Sequence, residues 1–221
     1  MNFVKKYDTY DKNADIQKKV AENLLKFGKL NIKDRKIKNV LEVGCGTGIF
    51  TRLFLNDFEV ENMILNDIFD TEKYLEDIRY DDFICGDMDN INFPHVDFIV
   101  SSSTFQWSKD FENLIKKISK NCNKILFSIY IKENLLEIKN HFDISLNYME
   151  MEDIKNILLK YFNVVKMEDE KFEKEFSSPI EALRHLKNTG VTGFKKTNIE
   201  KIRSFPHRKL TYVVGYFFCE K

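Results

Sequence analysis

The sequence predicts an α/β fold, a doubly wound sandwich in which helices cover both faces of a mostly parallel sheet. Three observations point there. Short β-rich runs alternate with helical stretches along residues 37–130, the rhythm of strand–helix–strand crossovers. The runs Lys38–Val43, Val96–Val100 and Lys124–Ile129 are mostly apolar at both parities, as central strands covered on two faces should be. A glycine cluster, Gly44, Gly46 and Gly48, stands where the first of these runs meets the next helix, and open α/β sheets bind ligands at such junctions.

In chain order, the stretch from about Asp11 to Phe27 places Ala14, Ile16, Val20, Ala21, Leu24 and Leu25 at near-helical spacing, with Gly28 as a stop. Strands then follow at Ile37–Val43, Val60–Leu65, Val96–Ser101 and Lys124–Tyr130, with a short one before Cys85. Helical stretches fall at Ile49–Phe54, Thr71–Ile78 and Phe111–Ser119. Downstream come a helix from about Met151 to Phe162 and a strand around Asn163 to Met167. The tetrapeptide Ser178-Pro179-Ile180-Glu181 reads as a capping box that opens a further helix, which Gly190 ends. The aromatic run Leu210–Cys219 reads as a terminal strand paired inside the sheet. With only 3 Pro and 8 Gly in 221 residues there is no room for a flexible linker. We read 1–221 as a single domain: an N-terminal helix at about 11–27, a ligand-binding half at about 37–130, and substrate-facing and C-terminal elements at about 131–221.

Composition removes several function classes. Lys+Arg and Asp+Glu balance at 35 each, so no global field recruits nucleic acid. No run approaches the roughly 20 apolar residues of a membrane span, and the start has no signal-peptide core. A cytoplasmic location is expected. Cys45, Cys85, Cys122 and Cys219 are widely separated, which is neither a disulfide framework nor a zinc ribbon, and they are expected to be reduced and mostly buried. His95, His141, His185 and His207 are equally scattered, and no metal site is expected.

The informative segment is Glu42-Val43-Gly44-Cys45-Gly46-Thr47-Gly48. Glycines at alternate positions let the backbone turn tightly and approach a ligand, with helix N–H groups facing it. A dinucleotide fingerprint would need glycine where Ile49 stands, and no Gly-Lys-Ser/Thr ending reaches for terminal phosphates. Asp67 ends the second strand, 19 residues beyond Gly48, where a carboxylate can accept from both ribose hydroxyls. Cys45 lacks a neighbouring histidine, so nucleophilic catalysis there is not expected.

The segment Glu42 to Gly48 resembles, at every fixed position, the E/D-x-G-x-G-x-G motif of the class I S-adenosylmethionine-dependent methyltransferases. That resemblance implies a Rossmann-like, doubly wound, mostly parallel seven-stranded sheet with an antiparallel C-terminal strand and a helical lid. It implies S-adenosyl-L-methionine as cofactor, leaving as S-adenosyl-L-homocysteine, with Asp87 taking the adenine amino group and Met88 packing on the ring. The expected cofactor contacts are Glu42, Gly44, Cys45, Gly46, Gly48, Asp67, Asp87, Met88 and Ser101.

Gln106-Trp107, after the fourth strand, is similar to the subset of these enzymes that esterify small carboxylic acids, the trans-aconitate and malonyl-[acyl-carrier protein] O-methyltransferases. Two stretches resemble the latter: Phe3 through Tyr10-Asp11 and Ala14 to Gln17, and Leu183-Arg184-His185-Leu186-Lys187-Asn188-Thr189-Gly190-Val191. The chain departs from the pattern at Asn66 and at Ser102. The resemblance implies methyl transfer to the free carboxylate of a malonyl thioester, on acyl carrier protein or coenzyme A, for biotin (pimeloyl) synthesis. Tyr10, Gln106, Trp107 and Arg184 are expected at the substrate. No acid–base residue is expected to be catalytic, because a carboxylate is already ionised at neutral pH; alignment and exclusion of water would do the work. His185 is expected to be structural. Between Arg184 and Lys209, eight basic residues stand against Glu200 alone, a surface that acidic acyl carrier protein would complement. Methylation of a free small acid such as trans-aconitate, and a non-catalytic cofactor-binding subunit, stay open as alternatives.

Overall fold

A computed structural model describes residues 13–189 and 198–221. The strands are β1 (Lys36–Val43), β2 (Glu59–Asp67), β3 (Asp82–Cys85), β4 (Phe98–Ser102), β5 (Lys124–Tyr130), β6 (Val164–Glu175) and β7 (Lys209–Glu220). They form one sheet in the order β3-β2-β1-β4-β5-β7-β6. β1 to β5 run parallel, and β7 lies antiparallel between β5 and β6. The strand order reverses between β1 and β4, which opens a crevice at their carboxyl ends.

Side-chain parity builds two cores. On β5, Leu126 and Tyr130 belong to one apolar cluster, and Ile125, Phe127 and Ile129 belong to the other. The first cluster takes in α1 (Asp15–Asn31), α2 (Ile49–Asp57), α4 (Leu136–Phe142) and α6 (Pro179–Thr189). The second takes in α3 (Phe111–Asn121) and α5 (Met151–Leu158). Successive strand residues face opposite ways, so these are the helical layers on the two faces of the sheet. Phe127, fully buried, stacks on Phe217 at 4.9 Å and touches Phe105 at 5.1 Å; truncation to alanine would cost about 3–5 kcal/mol.

Four local expectations are corrected. α1 runs through Gly28 to Asn31. A Cβ at Gly28 would stand 2.7 Å from Leu126 Cδ2, so the glycine serves the close approach of α1 to β5 and does not stop the helix. Only Glu72–Tyr74 of the 71–78 stretch is helical, as one 3₁₀ turn; Leu75 and Ile78 are buried at helical spacing, but the segment is too short to continue. β6 extends to Glu175, because its whole length pairs with β7 at the edge of the sheet. At the start of α6 the Ser178 hydroxyl accepts from the Glu181 N–H at 3.3 Å, while the Glu181 carboxylate turns to the Ser177 hydroxyl. Gly190 lies outside the described residues. A short helix, α7 (Ile199–Arg203), precedes β7.

Among the described residues, no helix is long and apolar enough to cross a membrane, and no group of three His, Cys, Asp or Glu could hold a metal ion. All four cysteines are free; Cys85 is exposed and the other three are buried.

Candidate active site

β1 delivers its last residues into the crevice. The Gly44 and Cys45 N–H groups donate to the Asn66 carbonyl at 2.8 and 2.9 Å, which ties the loop to β2. Asn66 turns its own amide to the Ile84 and Gly86 carbonyls at 2.7 and 3.0 Å. The residue that departs from the family pattern thus fastens β2 to β3. All three loop glycines have positive φ, +77° at Gly44, +57° at Gly46 and +79° at Gly48, a region that side chains disfavour. Their surroundings differ. A Cβ at Gly44 would stand 2.2 Å from Thr104 Oγ1 and one at Gly48 2.3 Å from Ile78 Cδ1, whereas at Gly46 it would meet no protein atom within 4 Å. The outer glycines serve packing, and the middle one keeps space open.

That space belongs to a cavity of about 330 Å³ at the carboxyl ends of the parallel strands. Glu42, at the end of β1, lines it while almost fully buried, and its Oε2 has no hydrogen-bond partner. Burial pushes the Glu42 carboxyl up to about 7, with the Thr51 hydroxyl opposing and the Asp67 charge adding to the rise. Asp67 accepts from the Gly46 N–H at 2.9 Å and from the Phe69 N–H at 3.1 Å, so its carboxylate holds the loop as it faces the cavity. Asp87, on the turn after β3, accepts from the Asp89 N–H at 2.9 Å and from the Asn90 amide at 3.2 Å. Its neighbour Met88 is buried against the same cavity. Cys45 lines the wall, but burial raises its thiol well above the ordinary range, which leaves it a neutral packing group.

The other wall follows β4. Ser102, Ser103, Gln106 and Trp107 line the cavity. The Gln106 amide N–H donates to the Ser103 carbonyl at 2.5 Å, and its Oε1 is buried without a partner. Gln17 from α1, Tyr148 from the segment after α4 and Thr189 at the end of α6 close the cavity, with Lys109 exposed at its mouth. The Gln17 Oε1 is also buried and unpartnered. Burial pushes the Tyr148 phenol up to about 12.

The site residues expected from sequence therefore divide. Glu42, Gly44, Cys45, Gly46, Asp67, Asp87, Met88, Gln106 and Trp107 line one cavity. Gly48 faces Ile78 and Leu75 instead. Ser101 is fully buried behind the wall and donates its hydroxyl to the Val43 carbonyl at 2.8 Å. Arg184 is exposed and outside the lining, because α6 turns Leu183, His185, Leu186 and Thr189 inward and so points residue 184 away. His185 is buried beside Phe176, and burial together with the Lys174 charge lowers it to about 4. Tyr10 lies outside the described residues. Gln17, Tyr148 and Thr189 are not among the expected site residues: Tyr148 lies in no motif, while Gln17 and Thr189 stand inside the two stretches that carry the resemblance without a role marked by it.

An adenosyl sulfonium ligand fits this lining. It is cationic and rich in hydrogen-bond donors, and the cavity offers the unpartnered acceptors of Glu42, Gln17 and Gln106 together with the open cradle at Gly46.

Residues 10–170 match the methyltransferase domain family. The chain is similar to the malonyl-[acyl-carrier protein] O-methyltransferase of Calditerrivibrio nitroreducens, 36% identical over 236 residues that cover 100% of this chain and 95% of that protein. It is 32% identical to the enzyme of the same name from Bacteroides thetaiotaomicron, over 99% of this chain and 86% of that one. Among solved structures, the YcgJ protein of Bacillus subtilis superposes with a TM-score of 0.68 at 10% identity, over 90% of this chain and 98% of that chain, a likeness of fold.

Proposed function

The chain belongs to the malonyl-[acyl-carrier protein] O-methyltransferase family within the methyltransferase-domain proteins, and on that premise we propose that it transfers a methyl group from S-adenosylmethionine to the free carboxylate of a malonyl thioester. The observation that carries the cofactor half is the buried, unpartnered Glu42 oxygen beside the open cradle at Gly46. The acceptor half rests on similarity along the whole chain to enzymes of that name.

S-adenosylmethionine, when bound, supplies an electrophilic methyl on a positively charged sulfur. Glu42 would face a cationic part of it, Asp67 the ribose, Asp87 the adenine amino group and Met88 the ring. Gly44, Cys45 and Gly46 would follow its backbone-facing side, while Gly48 and Ser101 shape the loop from behind. The protein needs no general base, because a carboxylate near pKa 4 is ionised at neutral pH. What the chain supplies is alignment, a contribution that reaches roughly 7–11 kcal/mol, and a wall of Gln106, Trp107 and Tyr148 that excludes water. Tyr10 is proposed as a substrate-binding residue on the resemblance alone. The basic residues between 184 and 209 would steer an acidic carrier protein; among them Lys209 already pairs with Glu173 at 2.9 Å. The cytoplasm is the proposed location, and entry to biotin synthesis the proposed role.

Initial rates with malonyl-carrier protein, malonyl-coenzyme A and trans-aconitate test this reading. Turnover of the carrier-bound substrate that weakens with salt supports it. Salt-insensitive turnover of aconitate alone would replace the acceptor, and no turnover with any of the three would leave a silent cofactor-binding protein.

A further inference from the structure

We propose that the Ser103 hydroxyl is the donor that holds the methyl-accepting carboxylate. The inference rests on the carboxylate-methylating reading above, and its ground is the local geometry at the end of β4. Ser103 has φ +56°, a left-handed conformation uncommon for residues other than glycine and asparagine. Its backbone is pinned there. The N–H donates to the Ser128 carbonyl at 3.1 Å and to the Ser128 hydroxyl at 3.0 Å, and the carbonyl accepts from Gln106. Ser103 is one of the residues that line the cavity, and its Oγ is buried without a partner. An unfavourable backbone conformation and an unsatisfied buried hydroxyl both weigh against the free fold. Together they mark a position that a ligand completes.

The neighbouring groups say which ligand atom. One N–H of the Gln106 amide is committed to the Ser103 carbonyl, and its Oε1, an acceptor, is the Gln106 atom buried without a partner. The Thr104 hydroxyl donates to backbone carbonyls at Gly44 and Ser102, and that of Thr189 to the His185 carbonyl. The Ser103 hydroxyl can rotate its hydrogen into the cavity. It would donate to one carboxylate oxygen while the other takes the methyl. A carbon–oxygen bond forms from that oxygen's lone pair, the methyl–sulfur pair stays on sulfur, the opposite charges cancel, and Ser103 keeps its proton.

Negative charge on the carboxylate falls along this path, so the hydrogen bond is stronger before transfer than during it. Its loss belongs in KM more than in kcat. The test is steady-state kinetics of Ser103→Ala and Ser103→Gly with malonyl-coenzyme A, alongside S-adenosylhomocysteine affinity and thermal unfolding. The glycine variant tolerates the left-handed backbone and removes only the hydroxyl. Both variants are expected to raise KM about ten- to hundredfold, the range of one hydrogen bond to a charged group, with kcat within a few-fold and S-adenosylhomocysteine affinity unchanged. An unchanged KM in Ser103→Gly overturns the inference while the proposed reaction stands. A wild type that does not turn over malonyl-coenzyme A or malonyl-carrier protein overturns both.

Discussion

Gly44 and Gly46 look equivalent in the motif, and the structure predicts opposite outcomes for adding one methyl group at each. At Gly46 a Cβ meets nothing within 4 Å. Gly46→Ala therefore costs only the left-handed backbone, about 1–2 kcal/mol, partly offset by a less flexible unfolded chain at about 0.4–1 kcal/mol. The thermal midpoint should fall by no more than about 6 °C, at roughly 2–4 °C per kcal/mol for a chain of this size. The new methyl would, however, occupy the space the cofactor needs, so the S-adenosylhomocysteine dissociation constant should rise at least about tenfold, equivalent to about 1.4 kcal/mol. At Gly44 the Cβ would fall 2.2 Å from Thr104 Oγ1 and 2.7 Å from Thr104 Cβ. Those atoms sit close to the β4 backbone and cannot swing away, so overpacking adds about 1–3 kcal/mol to the backbone term. Gly44→Ala should lower the midpoint by about 2–12 °C more than Gly46→Ala does. Thermal unfolding and calorimetric titration of both variants read the contrast. A Gly46→Ala protein that binds S-adenosylhomocysteine like wild type would refute the placement of the cofactor at the middle glycine.

Three further outcomes follow from the same geometry. The Glu42 carboxyl, held up to about 7, should release its proton to solvent when a cationic ligand binds beside it, so affinity for S-adenosylmethionine should rise about tenfold in all between pH 6 and 8 and level off above that. Titrations of Glu42→Gln should show no such slope. In the ligand-free protein the sign is reversed for stability: between the ordinary 4.5 and about 7 the folded state holds the extra proton, so the Glu42 contribution to stability declines as pH rises through that window. Asp67→Ala removes the acceptor of the Gly46 N–H as well as a cavity carboxylate, and calorimetry should show cofactor binding weakened at least about tenfold. Arg184→Ala, exposed and outside the lining, should leave kcat/KM for malonyl-coenzyme A within about twofold of wild type; a tenfold loss would return Arg184 to the pocket.

The legible parts of this protein were those where local pattern and tertiary setting agree. β5 and β7 are buried on both faces over most of their length, and β1 over Val40 to Val43, and their mostly apolar runs say so. β6 is an edge strand whose charged residues, Glu168, Asp169 and Lys171 among them, face solvent. Its length is set by the ladder to β7 and not by its own sequence. Gly28 misled because a helical glycine that packs against Leu126 has the same letter as one that stops a helix. At the site, Glu42, Asp67 and Asp87 were legible because each follows or ends a parallel strand, where chain order fixes position. Arg184 was not, since one residue along a helix is a turn of 100°, and the inward face of α6 takes Ala182, Leu183, His185 and Leu186 and passes over residue 184. Gln17, Tyr148 and Thr189 reach the cavity from three separate segments, and only the folded chain brings them together.

Mass spectrometry of malonyl-carrier protein, after incubation with the purified protein and isotopically labelled S-adenosylmethionine, tests the central claim most directly. One labelled methyl per malonyl group, lost on ester hydrolysis and absent when the carrier bears an acetyl group, is the predicted result. A carrier protein that gains no methyl, or gains one that survives hydrolysis, would contradict it.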